Sequence, residues 1–165
     1  MQEVTSPLRG TGFKAPAPAP ISQRSTTPAN IKHYELTPEL ETGNELIDSE
    51  HRMLFDAINQ LLDACVTGSG RTQITQTAQF LADYVDQHFS DEEKLQREND
   101  YPHYKSHHTF HIKYKEMIRN LSNELKHSEV TVQKVGELNR LVSILISHIK
   151  SEDKRLANYL KGQDV

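Results

Sequence analysis

Residues 47–65 read IDSEHRMLFDAINQLLDAC, and this stretch decides the fold class. Its apolar residues recur at steps of three and four, the spacing of one face of an α-helix. The face comprises Ile47, His51, Leu54, Phe55, Ile58, Leu61, Leu62 and Cys65. The pattern stops at residues 67–70, Thr-Gly-Ser-Gly, which are typical of a turn. The stretch therefore predicts an amphipathic helix with one buried side.

Three further runs with the same period follow, and no segment alternates convincingly with a period of two. Their inward faces comprise Ile74, Ala78, Leu81, Tyr84, Val85, His88, Glu92 and Leu95; then Tyr104, His107, His111, Tyr114, Ile118, Leu121 and Leu125; then Val132, Val135, Leu138, Leu141, Val142, Leu145, His148, Ile149, Leu156 and Leu160. Short turns between helices of this length favour antiparallel neighbours. The sequence therefore predicts an all-α fold, an up-down-up-down antiparallel four-helix bundle.

The N-terminal residues have a different composition from the rest of the chain. Six of the 7 Pro fall at or before Pro38, and residues 15–20 read Ala-Pro-Ala-Pro-Ala-Pro. Such a run favours extended polyproline II and builds no core. We therefore predict a flexible Pro/Ser/Thr-rich tail at residues 1–32 and the helical domain at residues 33–165. The tail is either a linker to another module or an extension without a role.

Composition excludes several classes of function. The chain of 165 residues has 19 Lys and Arg against 23 Asp and Glu, so no net positive charge draws it to nucleic acid. It contains no stretch of ~18 apolar residues that could span a membrane. The 1 Cys allows no internal disulfide and fits a reducing compartment, so we expect a cytoplasmic protein.

Polar residues interrupt the inward face of every predicted helix. They are His51, His88, Glu92, His107, His111, His148 and Asp153. Burying imidazoles and carboxylates without partners would cost several kcal/mol each, so a shared partner must satisfy them together. His88 and Glu92 lie one helical turn apart, as do His107 and His111.

The spacing of His148 and Asp153 is unusual. They are five positions apart, which places them about 140° apart on an ideal α-helix. Both face inward only if the buried face is wide or if the turn is widened, as in a π-bulge. A carboxylate that approaches from a different angle than its neighbouring imidazole suits a bridge between two metals.

Five imidazoles and two carboxylates exceed the four ligands of a tetrahedral zinc site. Two metals that share both carboxylates use the whole set, and imidazole suits Fe, Zn, Cu and Ni. Charge favours two Fe(II) ions, because two carboxylates and a bridging hydroxide cancel three of their four positive charges. The third and fourth helices offer three imidazoles and the first two helices offer two. One metal would therefore have six ligands, and the other would have five and an open position.

The sequence resembles the hemerythrin family, in particular a bacterial hemerythrin domain, over about residues 34–160. The resemblance rests on residues 47–51 with Leu54 and Phe55, His88-Phe89-Ser90-Asp91-Glu92-Glu93, Tyr101-Pro102, His107 with His111, and His148-Ile149 with Asp153. It implies a non-haem di-iron centre that binds O2 reversibly. The implied assignment is one iron on His107, His111 and His148, a second on His51 and His88, and a bridge of Glu92, Asp153 and an oxo or hydroxo group. O2 would bind at the second iron.

An apolar O2 pocket is implied around this centre, formed by Leu54, Phe89, Ile144, Leu145 and Ile149. Each of these positions is more often ordinary core packing, and both roles can hold for the same side chain. The chain also departs from the family pattern. It has no Trp ahead of the first helix, Ile144 stands where an aromatic residue is common, and Gln96 stands at about the place of a frequent Met.

The remaining polar residues are expected to be solvated. We expect His33, His103, His108 and His127 at the surface, and the acidic run of residues 91–93 on a solvated face except for Glu92.

The main hypothesis is O2 binding for transport, storage or sensing, the last as a domain tethered by its tail to a signalling module, and not an enzyme. The second hypothesis is a di-iron redox enzyme or sensor that acts on O2, NO or peroxide. Oxygen-activating centres of the ferritin type carry more carboxylates than the two found here, which favours reversible binding. The third hypothesis is a structural site for zinc or another metal.

Overall fold

The computed structural model describes residues 31–162, so the predicted tail lies outside the described residues except for its last two positions. The described part contains helices and no strand. The helices are α1 (Glu45–Val66), α2 (Arg71–Glu98), α3 (Tyr104–His127), α4 (Val132–His148) and α5 (Lys154–Leu160). A π-helical turn, Ile149–Asp153, joins α4 to α5, and the three segments form one rod. The prediction of an all-α four-helix bundle is confirmed.

Local chemistry sets the helix ends. The Asn44 side chain accepts a hydrogen bond from the Ile47 amide at the start of α1, and the Thr131 side chain caps α4 in the same way. These side chains satisfy amide groups that have no partner within the helix. After α1 the chain turns at Gly68, whose φ of 68° is readily adopted by glycine.

Contacts between neighbouring helices establish that they are antiparallel. The Arg71 guanidinium, at the start of α2, donates to the Lys126 carbonyl near the end of α3, at 3.0 Å. The Tyr114 hydroxyl on α3 donates to the Leu141 carbonyl on α4, also at 3.0 Å. The start of α2 thus lies beside the end of α3, and His107 near the start of α3 lies beside His148 at the end of α4. Each of these two pairs of neighbouring helices is therefore antiparallel.

The π-helical turn explains the five-residue spacing of His148 and Asp153. A π-helical turn absorbs one residue more than an α-helical turn. Both side chains therefore face the core, and Leu156, one turn further on, does so as well. The locally widened turn, one of the two alternatives that the sequence left open, is the one observed.

The polar residues occupy one level of the core, with apolar side chains on both sides of it. Ile47 lies one turn before His51 on α1, and Leu54 lies about one turn after it. Ile47, Tyr101 and Leu156 form a small apolar cluster at one end of the bundle, and the main core fills the other end. The packing of these two clusters holds the polar level in place.

The segment that precedes α1 is bound to the bundle. The Tyr34 amide donates to the Asn59 side chain at 2.8 Å, and its hydroxyl donates to the Asn139 side chain at 2.7 Å. The Asp48 carboxylate accepts from the amides of Thr42 and Gly43. None of the helices described by the structure is long and apolar enough to cross a membrane.

Candidate metal centre

All seven side chains singled out from the sequence come together in the core. None is more than 4% exposed. They form two groups, and within each group the donor atoms lie within 4.8 Å of one another. The first group is Glu92, His107, His111, His148 and Asp153, and the second is His51, His88, Glu92 and Asp153. We call them the three-His group and the two-His group.

In the three-His group, imidazole nitrogens surround one oxygen of each carboxylate. Asp153 Oδ1 lies 2.9 Å from His148 Nε2 and 3.1 Å from His107 Nε2. Glu92 Oε2 lies 3.4 Å from His107 Nε2 and 3.3 Å from His111 Nε2. His107 Nε2 and His148 Nε2 are 3.0 Å apart. Two imidazole nitrogens this close, with a carboxylate oxygen beside them, require a proton or another cation between them.

The two-His group uses the other oxygen of each carboxylate. His51 Nε2 lies 3.1 Å from Asp153 Oδ2, and His88 Nε2 lies 4.0 Å from Glu92 Oε1. Glu92 and Asp153 therefore each present one oxygen to each group. This is the arrangement of two carboxylates that bridge a pair of cations.

The site favours positive charge. Burial and the neighbouring Asp153 would raise the pKa of Glu92, but the charge of His88 and the adjacent imidazoles of His107 and His111 lower it to about 2. Burial would likewise raise the pKa of Asp153, yet the adjacent histidines hold it well below its usual value. Two charged carboxylates in a dry core are stable only beside cations.

The buried donors also lack enough partners within the protein. His88 Nε2, His111 Nε2, Asp153 Oδ1 and both oxygens of Glu92 make no hydrogen bond. An unmatched buried polar group costs about 1–3 kcal/mol, more when it is charged. Metal ions with N and O ligands would satisfy these atoms at once, so the residues present fit a metal pair.

Two further carboxylates support the imidazoles, and neither role is predicted by the sequence pattern. Glu50 Oε2 lies 2.8 Å from His88 Nδ1, and Glu93 Oε1 lies 3.0 Å from His111 Nδ1. Each contact fixes the ring and directs its Nε2 lone pair into the site. The expectation that Glu93 is solvated was wrong, because this residue is only 7% exposed. One step beyond Glu92 on the helix, its side chain points toward α3.

The histidines outside the site vary in exposure. His33 and His127 are exposed, as expected. His103 is half-buried, contrary to expectation. His108, also expected at the surface, is half-buried, and its Nδ1 lies 3.0 Å from Glu93 Oε1. Glu93 thus contacts an imidazole at the site and one at its rim.

Aromatic and aliphatic side chains enclose the polar level of the core. The Phe89 ring stacks on the His111 ring at 3.8 Å between centroids, and the Phe110 ring stacks on His148 at 3.7 Å. The role of Phe110 was missed in the sequence, where it falls between two inward positions. Of the predicted pocket residues, Leu54, Phe89, Leu145 and Ile149 are fully buried and Ile144 is half-buried.

We expect Glu50→Gln to weaken metal binding by about tenfold, the lower end of the usual effect of such supporting carboxylates. The amide keeps the shape of the side chain but removes the charge that holds His88 Nδ1–H. Chelator competition with Zn²⁺ measures the affinity. Glu45→Gln, an exposed change on the same helix, is the matched control. Equal affinities of the two variants would contradict the supporting role.

The fold and the site together define a four-helix-bundle protein with a buried His/Glu/Asp cation site. The family model that matches residues 42–160 is Hemerythrin, described as the hemerythrin HHE cation binding domain. The chain therefore belongs to the hemerythrin family, which confirms the resemblance seen in the sequence.

Two bacterial relatives illustrate the similarity. The Bacteriohemerythrin of Methylococcus capsulatus is 30% identical over 117 residues, which cover 70% of this chain and 87% of that protein. The Bacteriohemerythrin of Pseudomonas aeruginosa strain PAO1 is 30% identical over 124 residues, which cover 74% of this chain and 78% of that protein.

Proposed function

We propose that this protein binds O2 reversibly at a non-haem di-iron centre. The observation that carries the proposal is the pair of overlapping donor groups, which share both carboxylates and differ in their number of imidazoles. His107, His111 and His148 would hold one iron, His51 and His88 would hold the other, and Glu92 and Asp153 would bridge them. Membership of the hemerythrin family supports iron as the metal.

The unequal number of donors supports a ligand site at one metal only. The three-His group offers five residues and the two-His group offers four. A metal in the two-His group has one protein donor fewer and therefore keeps a position for a small external ligand. A pair of reduced iron ions would supply the electrons that let O2 bind there and leave again.

The protein contributes a dry environment around that position. We propose that Leu54, Phe89, Ile144, Leu145 and Ile149 form the O2 pocket. Four of them are fully buried within the bundle. Apolar walls admit a small neutral molecule and exclude water and protons, which slows irreversible oxidation of the metal. The low number of carboxylates supports reversible binding over oxygen activation.

Contacts near Asp153 suit a role in sensing as well as in transport or storage. Lys154, next to Asp153 on the rod, donates to the carbonyl of Glu39. Lys161 donates to the Thr42 carbonyl at 2.8 Å. A movement of Asp153 on ligand binding would therefore reach the segment that leads to residues 1–32. We propose that residues 33–165 are the binding domain and that residues 1–32 tether it to a signalling module.

The test is an oxygenation cycle on purified protein. Iron is counted, and absorption spectra are recorded in the reduced state without O2, after aeration, and after O2 is removed again. Two irons per chain and a colour that appears with O2 and disappears on its removal are expected. Iron that oxidises at once and never releases O2 would favour the redox enzyme. Bound zinc with no spectral change would favour a structural metal site.

We expect Leu145→Ala to keep both irons but to accelerate autoxidation. Leu145 is fully buried one turn before His148, and its loss opens a cavity without removing a ligand. Iron content and the rate of spectral decay in air measure the two effects. Leu138→Ala, two turns further from the site on the same face, is the matched control. A similar autoxidation rate in both variants would place the pocket elsewhere.

A further inference from the structure

Gln96 is a buried polar residue that the proposed centre does not use. Its side chain is fully buried on α2, and neither its amide nitrogen nor its amide oxygen has a hydrogen-bond partner within the protein. Burying an amide in this state is costly, because it forfeits its bonds to water. An ordinary core position would hold an apolar residue instead. The amide therefore needs a partner that the protein chain does not supply.

The position of Gln96 relates it to Glu92. The two residues lie four positions apart on α2, so they share one face of the helix. Side chains on a helix lean toward its N-terminus, which directs Gln96 back toward the turn that carries Glu92. Glu92 has two oxygens without a hydrogen bond, and each carboxylate oxygen keeps a second lone pair when it binds a metal.

Tyr101 supplies a second unpaired polar group at the same level. Its amide donates to the Gln96 carbonyl at 2.9 Å, which holds the two residues together. Its hydroxyl is buried and lacks a partner, although its ring lies 6.4 Å from that of His107. The other fully buried members of this cluster, Ile47 and Leu156, are apolar and offer the two polar groups no partner. The polar level that contains Glu92 is the neighbouring part of the core with unpaired buried polar atoms.

The Tyr101 hydroxyl is a phenol O–H, which can donate to a carboxylate oxygen or to a water. A buried water needs two to four polar partners, and the Gln96 amide, the Tyr101 hydroxyl and the Glu92 carboxylate offer them.

We infer that Gln96 and Tyr101 hold a buried water against Glu92, and that Gln96 is thereby a positioning residue for this shared carboxylate. The hydrogen bond fixes the carboxylate between the two donor groups and withdraws part of its negative charge. Loss of the bond loosens metal binding. Loss of the bond also makes the pair of metal ions harder to reduce, because more negative charge then rests on the Glu92 carboxylate. This inference rests on the proposed metal centre.

The test compares three variants of the whole chain. Gln96→Met removes the amide and keeps the length of the side chain, and Tyr101→Phe removes only the hydroxyl. Leu156→Met changes the same level without removing a polar group and is the matched control. The probes are Zn²⁺ and Fe²⁺ in chelator competition, together with the reduction potential of the iron-loaded protein. Melting temperatures are measured without metal.

Gln96→Met is expected to lose about tenfold in affinity for both metals and to shift the potential to a more negative value. Tyr101→Phe is expected to lower the metal affinity and to shift the reduction potential to a more negative value as well. The double variant should add little, because the two groups serve one water. Leu156→Met should behave as the wild type does. The metal-free melting temperature of Gln96→Met should not exceed that of the wild type.

Unchanged affinity and potential in Gln96→Met, with a raised melting temperature, would overturn the inference, because the amide would then be only an unpaired group in the core. The Zn²⁺ measurement separates this failure from that of the proposed function. If the wild-type protein binds Zn²⁺ but not O2, the O2 proposal is wrong, and the comparison of Gln96→Met with the wild type still tests the role of Gln96. If the wild-type protein binds neither Zn²⁺ nor Fe²⁺, both the O2 proposal and the role of Gln96 are wrong.

Discussion

Glu92→Gln is expected to abolish tight metal binding, with more than about a 100-fold loss of affinity at both metals. Glu92 is the residue whose two oxygens face different donor groups, Oε1 toward His88 and Oε2 toward His107 and His111. The expected loss of affinity is larger than the loss on substitution of a supporting carboxylate, which is usually about 10–100-fold. The amide keeps the volume of the side chain and removes its charge. Metal content after dialysis against a chelator measures the effect.

The control for this variant is Glu98→Gln, an exposed change near the end of the same helix. It should retain the metal content of the wild type. The helical circular dichroism of Glu92→Gln should remain, because the apolar clusters on either side of the site are unchanged. Glu92→Gln with full metal occupancy and unchanged affinity would show that this carboxylate is not shared between two metals.

His148→Ala is expected to act on one metal more than on the other. His148 belongs to the three-His group alone, and the two-His group contains none of its atoms. The variant should therefore fall from two irons per chain to one or fewer. The cavity left beside Phe110, which stacks on this ring, should also lower the melting temperature. Iron quantification and thermal unfolding measure the two effects.

His127→Ala is the control, because it makes the same substitution at an exposed histidine. It should leave both the iron content and the melting temperature unchanged. A His148→Ala variant that keeps two irons per chain would contradict the assignment of the three-His group. If the variant lost only the metal bound by the two-His group, His148 would have to be assigned to that group instead.

The helices and the seven ligand candidates could be predicted from the sequence because both depend on local spacing. Apolar residues at steps of three and four define each helix, and the polar interruptions such as His88 and Glu92 fall on those same faces. The five-residue step from His148 to Asp153 even indicated the widened turn that the structure contains. These features need no knowledge of how the helices pack.

The supporting contacts could not be predicted, because they join different helices. Glu50 on α1 contacts His88 on α2, and Glu93 on α2 contacts His111 on α3. Neither carboxylate lies on an apolar stripe, so periodicity assigns both to the solvent. A ligand imidazole usually donates its second nitrogen to a carboxylate, and this rule marks acids beside ligand positions as candidates. Only the packing of the helices identifies which imidazole each one meets.

The measurement that tests the metal centre most directly is anomalous diffraction at the iron absorption edge from crystals of the iron-loaded protein. We predict two anomalous peaks in the core, each marking an iron within bonding distance of Glu92 and Asp153. One iron should also be bound by His107, His111 and His148. The other should be bound by His51 and His88 and should keep one open position. A single peak, or peaks away from the two carboxylates, would contradict the paired centre on which the account depends.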